Sequence, residues 1–367
     1  MNTIIYLILS LVLGFLITSA VTPYMICLAF KKEWFDTLDT RKIHHGLIPR
    51  IGGMAFVPSA LVAFVLTFAT STYLGDLTFG GNISHQLPLS SIVCSFIALW
   101  IIYAEGMFDD VKGAGYKIKF LIHFLCALLI VSSGIWVNNF YGLFGLYELP
   151  WYFGMPFTVL LIMYIINAIN LIDGIDGLCS GLSIVAFMFL GTMFFLEGQL
   201  SETLLSMSML GALIAYFAFN VYGTVERHTK IFMGDCGSQV LGLLLSMLVV
   251  RLAMHSGDVT HASHSIIVAL APMVVPCLDV IRVMVGRISR GANPFLPDKT
   301  HIHHLLLAKG WSQRKSRTFI ILAAIFFIGF NCILDGKINI NLIFIADIAL
   351  YLILQTWISH TLKKVKA

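Results

Sequence analysis

The sequence is short of charge. Of its 367 residues only 11% are Asp, Glu, Lys or Arg, whereas 58% are apolar, and the mean hydropathy is +0.90. Soluble domains carry charge on about a quarter of their residues, so this composition excludes an ordinary soluble domain. The apolar runs are also too long and too continuous for membrane β-barrel strands, which alternate over about ten residues. The sequence therefore predicts an all-α polytopic membrane protein.

Paired cysteines, basic stripes and a cleavable leader are also missing. The seven cysteines are scattered, mostly in apolar runs, which excludes a disulfide framework and a cysteine-based metal site. The formal net charge of +4 comes without a basic stripe of interleaved aromatics, so we expect no nucleic-acid partner. The first apolar run has neither a basic n-region nor a cleavage site of small residues, so we expect an uncleaved helix.

Apolar runs of membrane-crossing length make up most of the chain. A helical span needs about 20 largely apolar residues. Reading the runs between polar or Gly/Pro boundaries predicts about eleven spans, with bounds good to about 2–4 residues. They are 3–29, 51–72, 88–106, 118–137, 151–170, 178–196, 201–221, 238–254, 264–286, 318–335 and 339–360. No gap is long enough for a separate domain, so we expect residues 1–367 to form one integral membrane domain.

Lys and Arg fall almost entirely in alternate gaps between these spans. The other set of gaps (73–87, 138–150, 197–200, 255–263 and 336–338) holds only Lys337, with Arg251 near a span end. Cytoplasmic loops retain positive charge. The pattern predicts an N-terminus outside and a C-terminus in the cytoplasm, with every polar motif on the cytoplasmic face.

Two adjacent acids follow the third predicted span. Asp109 and Asp110 are followed by Lys112, Lys117 and Lys119. Neighbouring carboxylates repel each other, so they favour a proton, a cation or a metal between them and a substrate. A solvated helix end is the alternative for an isolated pair of acids, because acids are common on surfaces.

Four oxygen-bearing side chains recur at every third residue where the fifth predicted span ends. They are Asn167, Asn170, Asp173 and Asp176, and two glycines break the helix among them. In a helix such positions stay near one side, so all four can point into one cavity. Their oxygens suit a hard cation such as Mg²⁺. A calcium loop is the nearest rival, but its terminal Glu is missing, and a structural helix cap needs only one such residue.

The segment 233–238, Met-Gly-Asp-Cys-Gly-Ser, opens the eighth predicted span. Glycines around an acid at a helix start direct backbone N–H groups and the positive end of the helix dipole toward an anion. Asp235 would be repelled by that anion unless a metal stood between them. The segment thus predicts a metal-bridged anion site.

Three histidines, His301, His303 and His304, lie in a Pro-bounded loop beside Asp298 and Lys299. A zinc site is one alternative, since imidazole is a common zinc ligand, but no cysteine is near and the basic neighbours disfavour a cation. Partly protonated imidazoles beside Lys and Arg fit phosphate binding better. A solvated or pH-sensing loop stays open as the plainer interpretation.

Together these motifs predict metal-assisted phosphoryl transfer at a membrane face. Such reactions depend on positioning and charge neutralisation, and a lipid acceptor explains why the site is built on spans. For Asp279 and Arg282, three residues apart in the ninth span, a local helical ion pair is favoured over the alternative of a catalytic role. The alternatives are a transporter with a cytoplasmic gate and a non-catalytic scaffold. Span centres almost free of charge and the lack of an internal repeat disfavour the transporter.

The same motifs resemble those of the polyprenyl-phosphate N-acetylhexosamine-1-phosphate transferases, over nearly the whole chain. The similar segments are His45 to Gly53, Asp109-Asp110 with Lys117, Asn167 to Leu178, and Gly234 to Ser238, where Cys236 replaces the more usual Ala or Thr. The last loop, Pro294 through His304, looks like that of the WecA/TagO-type enzymes. It differs from the three consecutive histidines of the phospho-MurNAc-pentapeptide translocases.

The resemblance implies that undecaprenyl phosphate attacks the sugar-linked phosphorus of a UDP-N-acetylhexosamine, with GlcNAc as the first choice, and releases UMP in the bacterial cytoplasmic membrane. It implies Mg²⁺, with Mn²⁺ as a substitute, held by Asp235 and Asn170. Asp109 or Asp110, with Lys117, would orient or deprotonate the lipid phosphate, or one Asp would form an acyl phosphate. The implied substrate-binding residues are His45, Asn167, Asp173, Asp176, His301, His303 and His304. The sugar epimer, the downstream polymer and a homodimer are left open.

Overall fold

Helices make up the regular structure in the described part of the chain. The computed structural model describes residues 2–35, 48–74, 88–254, 265–291 and 300–366. The helices are α1 (Asn2–Lys32), α2 (Gly52–Tyr73), α3 (Leu89–Lys112), α4 (Tyr116–Ser132), α5 (Trp151–Ile172), α6 (Leu178–Leu196), α7 (Leu200–Tyr222), α8 (Gly234–Ala253), α9 (Ile266–Leu270), α10 (Val274–Ile288), α11 (Ile302–Ala308), α12 (Gln313–Leu334) and α13 (Ile340–Lys366). Within those ranges β structure is limited to isolated bridges such as Asn139 with Glu148. The all-α prediction is confirmed.

Ten helical segments of the described ranges are long and apolar enough to cross a membrane. The segment Ile266–Ile288 counts as one of them, although a 3-10 turn at Ala271–Met273 divides it into α9 and α10. Pro272 explains the break, because proline supplies no backbone N–H to a helix. The helix α4 has 17 residues, the lower end of the crossing range. The expectation of eleven spans therefore stays a prediction.

The helix α8 lies at the centre of the bundle. Most of its residues are buried, and it packs against α2, α3, α5 and α6. The helices α1, α12 and α13 are peripheral and expose large apolar side chains. Because protein surrounds α8 on several sides, side chains from different helices can reach its first turn.

Two glycines let neighbouring helices approach the start of α8. A Cβ on Gly53 of α2 would overlap the backbone of Gly237. A Cβ on Gly106 of α3 would lie only 2.5 Å from the Cα atom of Cys236. Real Cβ atoms do not come so close to backbone, so these contacts require glycine.

Backbone hydrogen bonds hold the segment before α2 along the segment before α8. Phe232 donates its N–H to the Pro49 carbonyl at 2.8 Å, and Gly52 donates to the Phe232 carbonyl at 2.8 Å. The described part of the first polar motif, residues 48–53, is thereby fixed beside the start of α8.

Two helix bounds differ from the sequence prediction in a way that matters for the site. The third span was expected to end at residue 106, but α3 continues through Lys112 and ends at Gly113, whose φ is +77°. Asp109 and Asp110 therefore lie in the last turns of a helix. Similarly, α8 begins at Gly234 instead of residue 238. Hydropathy marks where apolar composition stops, whereas these helices extend into polar sequence.

Candidate active site

The two adjacent acids of α3 have different environments. Asp110 Oδ1 accepts the backbone N–H of Asp235 at 2.7 Å, and its Oδ2 accepts that of Cys236 at 3.0 Å. The first N–H groups of a helix have no partner within the helix. Asp110 supplies a partner for two of these groups from another helix. The anion expected from sequence at the start of α8 stays a prediction.

Asp109 instead faces Lys119 of α4. The Lys119 ammonium donates to Asp109 Oδ2 at 2.5 Å and also to Asp235 Oδ2. The other oxygen of Asp109 accepts the N–H of Ala114 at 2.6 Å. All three charged side chains are largely buried, with 12–22% of their surface exposed. A single cation therefore joins α3 and α8 through two carboxylates.

The lysine in this cluster is not the one expected from the motif. Lys117 is exposed, whereas Lys119 lies on the face of α4 that also carries buried His123, Cys126 and Ile130. Positions four residues apart share a helix face, so the apolar stripe of α4 leads back from residue 123 to residue 119. That periodicity was the sequence signal for Lys119.

Asp235 has a third neighbour on α5. The amide nitrogen of Asn170 donates to Asp235 Oδ1 at 3.3 Å and to Ser238 Oγ at 2.9 Å. A metal would require the amide oxygen, which is the other end of the same group. Asn167, one turn earlier, donates its amide to the Met163 carbonyl of its own helix at 2.7 Å.

Asp173 ends α5 at the edge of the acidic cluster. Burial raises the pKa of Asp173 to about 7, against the lowering effect of the Arg50 guanidinium, while Asp235 and Asp176 add to the rise. Arg50 Nη2 lies 3.8 Å from Asp235 Oδ1 and is 41% exposed. A ligand carrying positive charge here would favour the ionised form of Asp173.

Asp176, in the turn between α5 and α6, belongs to a network of hydrogen bonds with Lys230 and Arg317. Its carboxylate accepts from the Lys230 ammonium at 2.6 Å, and its backbone carbonyl accepts from Arg317 at 2.8 Å. Lys230 also donates to the carbonyl of Asn220 at 2.5 Å. The side chains of Asp176 and Lys230 are only 12% and 9% exposed. The α5–α6 turn is thus joined to the segment that leads into α8.

The histidine segment forms the start of α11, anchored by Asp279 of α10. Asp279 is 1% exposed and bonds His301 Nδ1 at 2.8 Å, the N–H of Ile302, Arg282 Nη2 at 2.8 Å and Tyr351 OH at 3.0 Å. The local ion pair expected for Asp279 and Arg282 is present. The pair is one part of a wider network that fixes the histidine segment.

His303 joins this segment to the α5–α6 turn. A Cβ on Gly174 would overlap its imidazole ring, and the rings of His301 and His304 flank it at 5.9 and 4.2 Å. Both ring nitrogens lack a hydrogen-bond partner among the described residues. Burial, together with the neighbouring His304, lowers the pKa of His303 to about 3. The neutral ring differs from the partly protonated imidazole expected from sequence.

The carboxylates offer one place for a metal ion. Asp109, Asp110 and Asp235 can each present an oxygen so that the three lie within 4.8 Å of one another. Hard oxygen donors in that number suit Mg²⁺ or Mn²⁺, and the Lys119 ammonium already places positive charge among them. His45, Asp298 and Lys299 lie outside the described residues.

The sequence matches known proteins over most of its length. Residues 92–253 match the family model of Glycosyl transferase family 4. The undecaprenyl-phosphate alpha-N-acetylglucosaminyl 1-phosphate transferases of Yersinia pestis and Escherichia coli (strain K12) are each 30% identical to the chain. The aligned parts cover 81% and 84% of this chain, and 75% and 79% of the two relatives.

The chain belongs to this transferase family. A probable undecaprenyl-phosphate N-acetylglucosaminyl 1-phosphate transferase of Bacillus subtilis (strain 168) is 32% identical, over 88% of this chain and 83% of the relative. The matched region of the family model runs from α3 to α8 and therefore contains Asp109, Asp110 and Asp235. Membership favours the transferase interpretation over the transporter alternative.

Proposed function

We propose that this protein transfers N-acetylglucosamine-1-phosphate from UDP-GlcNAc to undecaprenyl phosphate. An oxygen of the lipid phosphate attacks the sugar-linked phosphorus, the bond to the UMP oxygen breaks, and UMP leaves. The names of the relatives support both the sugar and the lipid. The product would start a lipid-linked surface polysaccharide.

One observation carries the proposal. Asp109, Asp235 and Lys119 come from three helices and converge at one end of the bundle. Together with Asp110, the two acids form the only group of three carboxylates among the described residues that is close enough to share a cation. Transfer between two phosphates brings together several negative charges. A cluster that combines cation-binding carboxylates with a lysine neutralises them.

We propose that Asp109, Asp110 and Asp235 hold Mg²⁺, with Mn²⁺ as a substitute. When bound, the ion would neutralise the diphosphate and the departing UMP. Asn170 lies next to Asp235 and would steady it. Lys119, not Lys117, would then contact a phosphate oxygen.

Neither acid of the pair is well placed as a nucleophile. Asp110 is engaged by two backbone N–H groups, and Asp109 by Lys119 and Ala114. A phosphate monoester has a second pKa near 6 and is largely a dianion at neutral pH, so it needs no base. We therefore propose direct attack, with Asp109 orienting the reacting groups.

The turn after α5 would bind the donor. Asp173 lies within electrostatic range of Arg50 and Asp235. His303 packs against Gly174, and neither of its ring nitrogens has a hydrogen-bond partner in the described part of the chain. A neutral imidazole can donate one hydrogen bond to a phosphate or sugar oxygen. His301, His304, Asn167, Asp176 and His45 stay predicted contributors to substrate binding.

The membrane arrangement completes the proposal. Eleven spans, with α4 as the short one, would place the N-terminus outside and the active site at the inner face of the bacterial cytoplasmic membrane. The basic gaps between spans support this orientation. UDP-sugars and the lipid phosphate would meet at that face.

The test is release of UMP by purified protein supplied with Mg²⁺, undecaprenyl phosphate and a panel of UDP-N-acetylhexosamines. We expect UMP with UDP-GlcNAc and its loss in Asp235→Ala. Asp347→Asn, which changes a buried carboxylate of α13 bonded to Asn331, is the control and should stay active. No UMP from any of the sugars would overturn the proposal.

A further inference from the structure

A second layer of polar residues lies directly behind the acidic cluster. Glu105 is four residues before Asp109 on α3, His123 four after Lys119 on α4, and Gln239 four after Asp235 on α8. Residues four apart share a helix face, so each lies one turn deeper along the same surface. Their exposed fractions are 6%, 3% and 1%. None of the sequence motifs included them.

Glu105 is the acidic member of this layer. His123 Nε2 and Gln239 Oε1 bond each other at 3.0 Å. Neither carboxylate oxygen of Glu105 has a hydrogen-bond partner within the described residues. A buried carboxylate without a partner is costly. The side chains that act on Glu105 are Lys119, Asp109, Asp235 and the amide of Gln239.

Lys119 occupies space that a divalent cation needs. Its ammonium bonds both Asp109 and Asp235, and these are two of the three carboxylates that could hold a metal. An ammonium and a divalent cation repel each other at such distances. A cation that enters the cluster must therefore displace Lys119, whose four-carbon side chain is flexible.

We propose that Glu105 receives the Lys119 ammonium when a divalent cation enters the substrate-free enzyme, and thereby sets the affinity of the cluster for that cation. Before substrate arrives there is no phosphate to pair with the lysine. Glu105 is a buried acid beside the cluster, and its carboxylate oxygens accept no hydrogen bond of good geometry from the described residues. This inference rests on the metal-binding part of the proposed function.

The test is a titration of the full-length protein in detergent with Mn²⁺ in the absence of substrate. Electron paramagnetic resonance measures how much Mn²⁺ is bound. We expect Glu105→Gln to raise the dissociation constant about ten-fold, which corresponds to about 1.4 kcal/mol. Asp347→Asn, an equivalent change in a distant buried carboxylate, should leave it within about two-fold. A Glu105→Gln constant within two-fold of wild type would overturn the inference.

Repeating the measurement in a Lys119→Met variant separates the movement of Lys119 to Glu105 from a direct effect of the Glu105 charge on the ion. Lys119→Met removes the competing ammonium, so Glu105→Gln should then change the Mn²⁺ dissociation constant less than two-fold. The same ten-fold loss in both backgrounds would mean that Glu105 acts on the ion directly, against the proposal. Glu105→Asp keeps the charge, should retain most of the affinity, and serves if the Gln variant does not fold. Because no substrate is present, a failure here leaves the UMP-release test intact.

Discussion

The carboxylate of Asp110 lies 2.7 Å from the backbone nitrogen of Asp235 and accepts its N–H. A residue of α3 thus caps α8, the helix that carries Asp235. Asp109, its neighbour in sequence, bonds Lys119 instead. Adjacent acids that look equivalent in the sequence therefore differ: one holds the first turn of α8, and the other faces the cation.

We predict that Asp110→Ala lowers the free energy of unfolding by about 1–2 kcal/mol, the cost of losing a helix cap. Asp109→Ala should cost less than Asp110→Ala, because Asp235 still pairs with Lys119 and the repulsion between carboxylates falls, which offsets the loss of the hydrogen bond from Ala114. Both variants should lose UMP release. Thermal unfolding in detergent measures the difference, and equal losses of stability would contradict the division of roles.

The two lysines of the α3–α4 region form a matched pair. We predict that Lys119→Met lowers kcat at least about 100-fold, the scale of losing one group that stabilises charge in the transition state. Lys117→Met should retain activity within a factor of two, since Lys117 is exposed. UMP release by both variants under saturating substrates checks this. A larger loss from the Lys117 variant would restore the lysine expected from the motif.

The sequence predicts more of the residues at the site than of the contacts that hold those residues in place. Asp109, Asp235 and Asn170 lie together as expected. Polar residues at the ends of apolar runs on one membrane face avoid the hydrocarbon and turn toward the protein interior. The motif spacing predicts Lys117 for the site, whereas Lys119 occupies it. The buried face of α4, which Lys119 shares with His123, is the sequence feature that indicates Lys119.

Contacts between distant segments were beyond sequence reasoning. Asp279 has a partner three residues away, which local spacing predicts, but it also bonds His301 and Tyr351, which are 22 and 72 residues distant. The same holds for Asp176 and Lys230, 54 residues apart. Such pairs arise from how the helices pack, and a single sequence carries no periodicity that reports it.

His303 predicts a dependence of stability on pH. Burial holds the pKa of His303 at about 3, whereas an unfolded chain has a histidine pKa of about 6.5. Below pH 6.5 the unfolded state therefore binds a proton that the folded state does not, and the free energy of unfolding falls as pH falls. We expect His303→Gln to lose less thermal stability than wild type between pH 7.5 and pH 5.5.

The control for this change is His360→Gln, at an exposed position of α13. That variant should follow the wild-type curve over the same pH range. If His303→Gln also follows it, then His303 is protonated with little cost in the folded protein. The phosphate-binding imidazole expected from sequence would then regain support.

Variants of the Asp176–Lys230 ion pair test whether Asp176, an acid of the α5–α6 turn, stabilises the fold or binds the substrate. Both side chains are largely buried at a separation of 2.6 Å, and removing one partner of a buried pair costs about 3–5 kcal/mol. We expect Asp176→Asn and Lys230→Met each to lower the melting temperature clearly, and the double variant to lose far less than the sum.

A role of Asp176 in binding the nucleotide gives a different result. Asp176→Asn would then raise the KM for UDP-GlcNAc while its melting temperature stayed near that of wild type, and Lys230→Met would show no coupling to it. The geometry favours the first outcome, because the carboxylate bonds Lys230 and the same residue's carbonyl bonds Arg317. An acid held from two sides positions the turn, which leaves Asp173, three residues earlier and facing Arg50, as the acid available to a ligand.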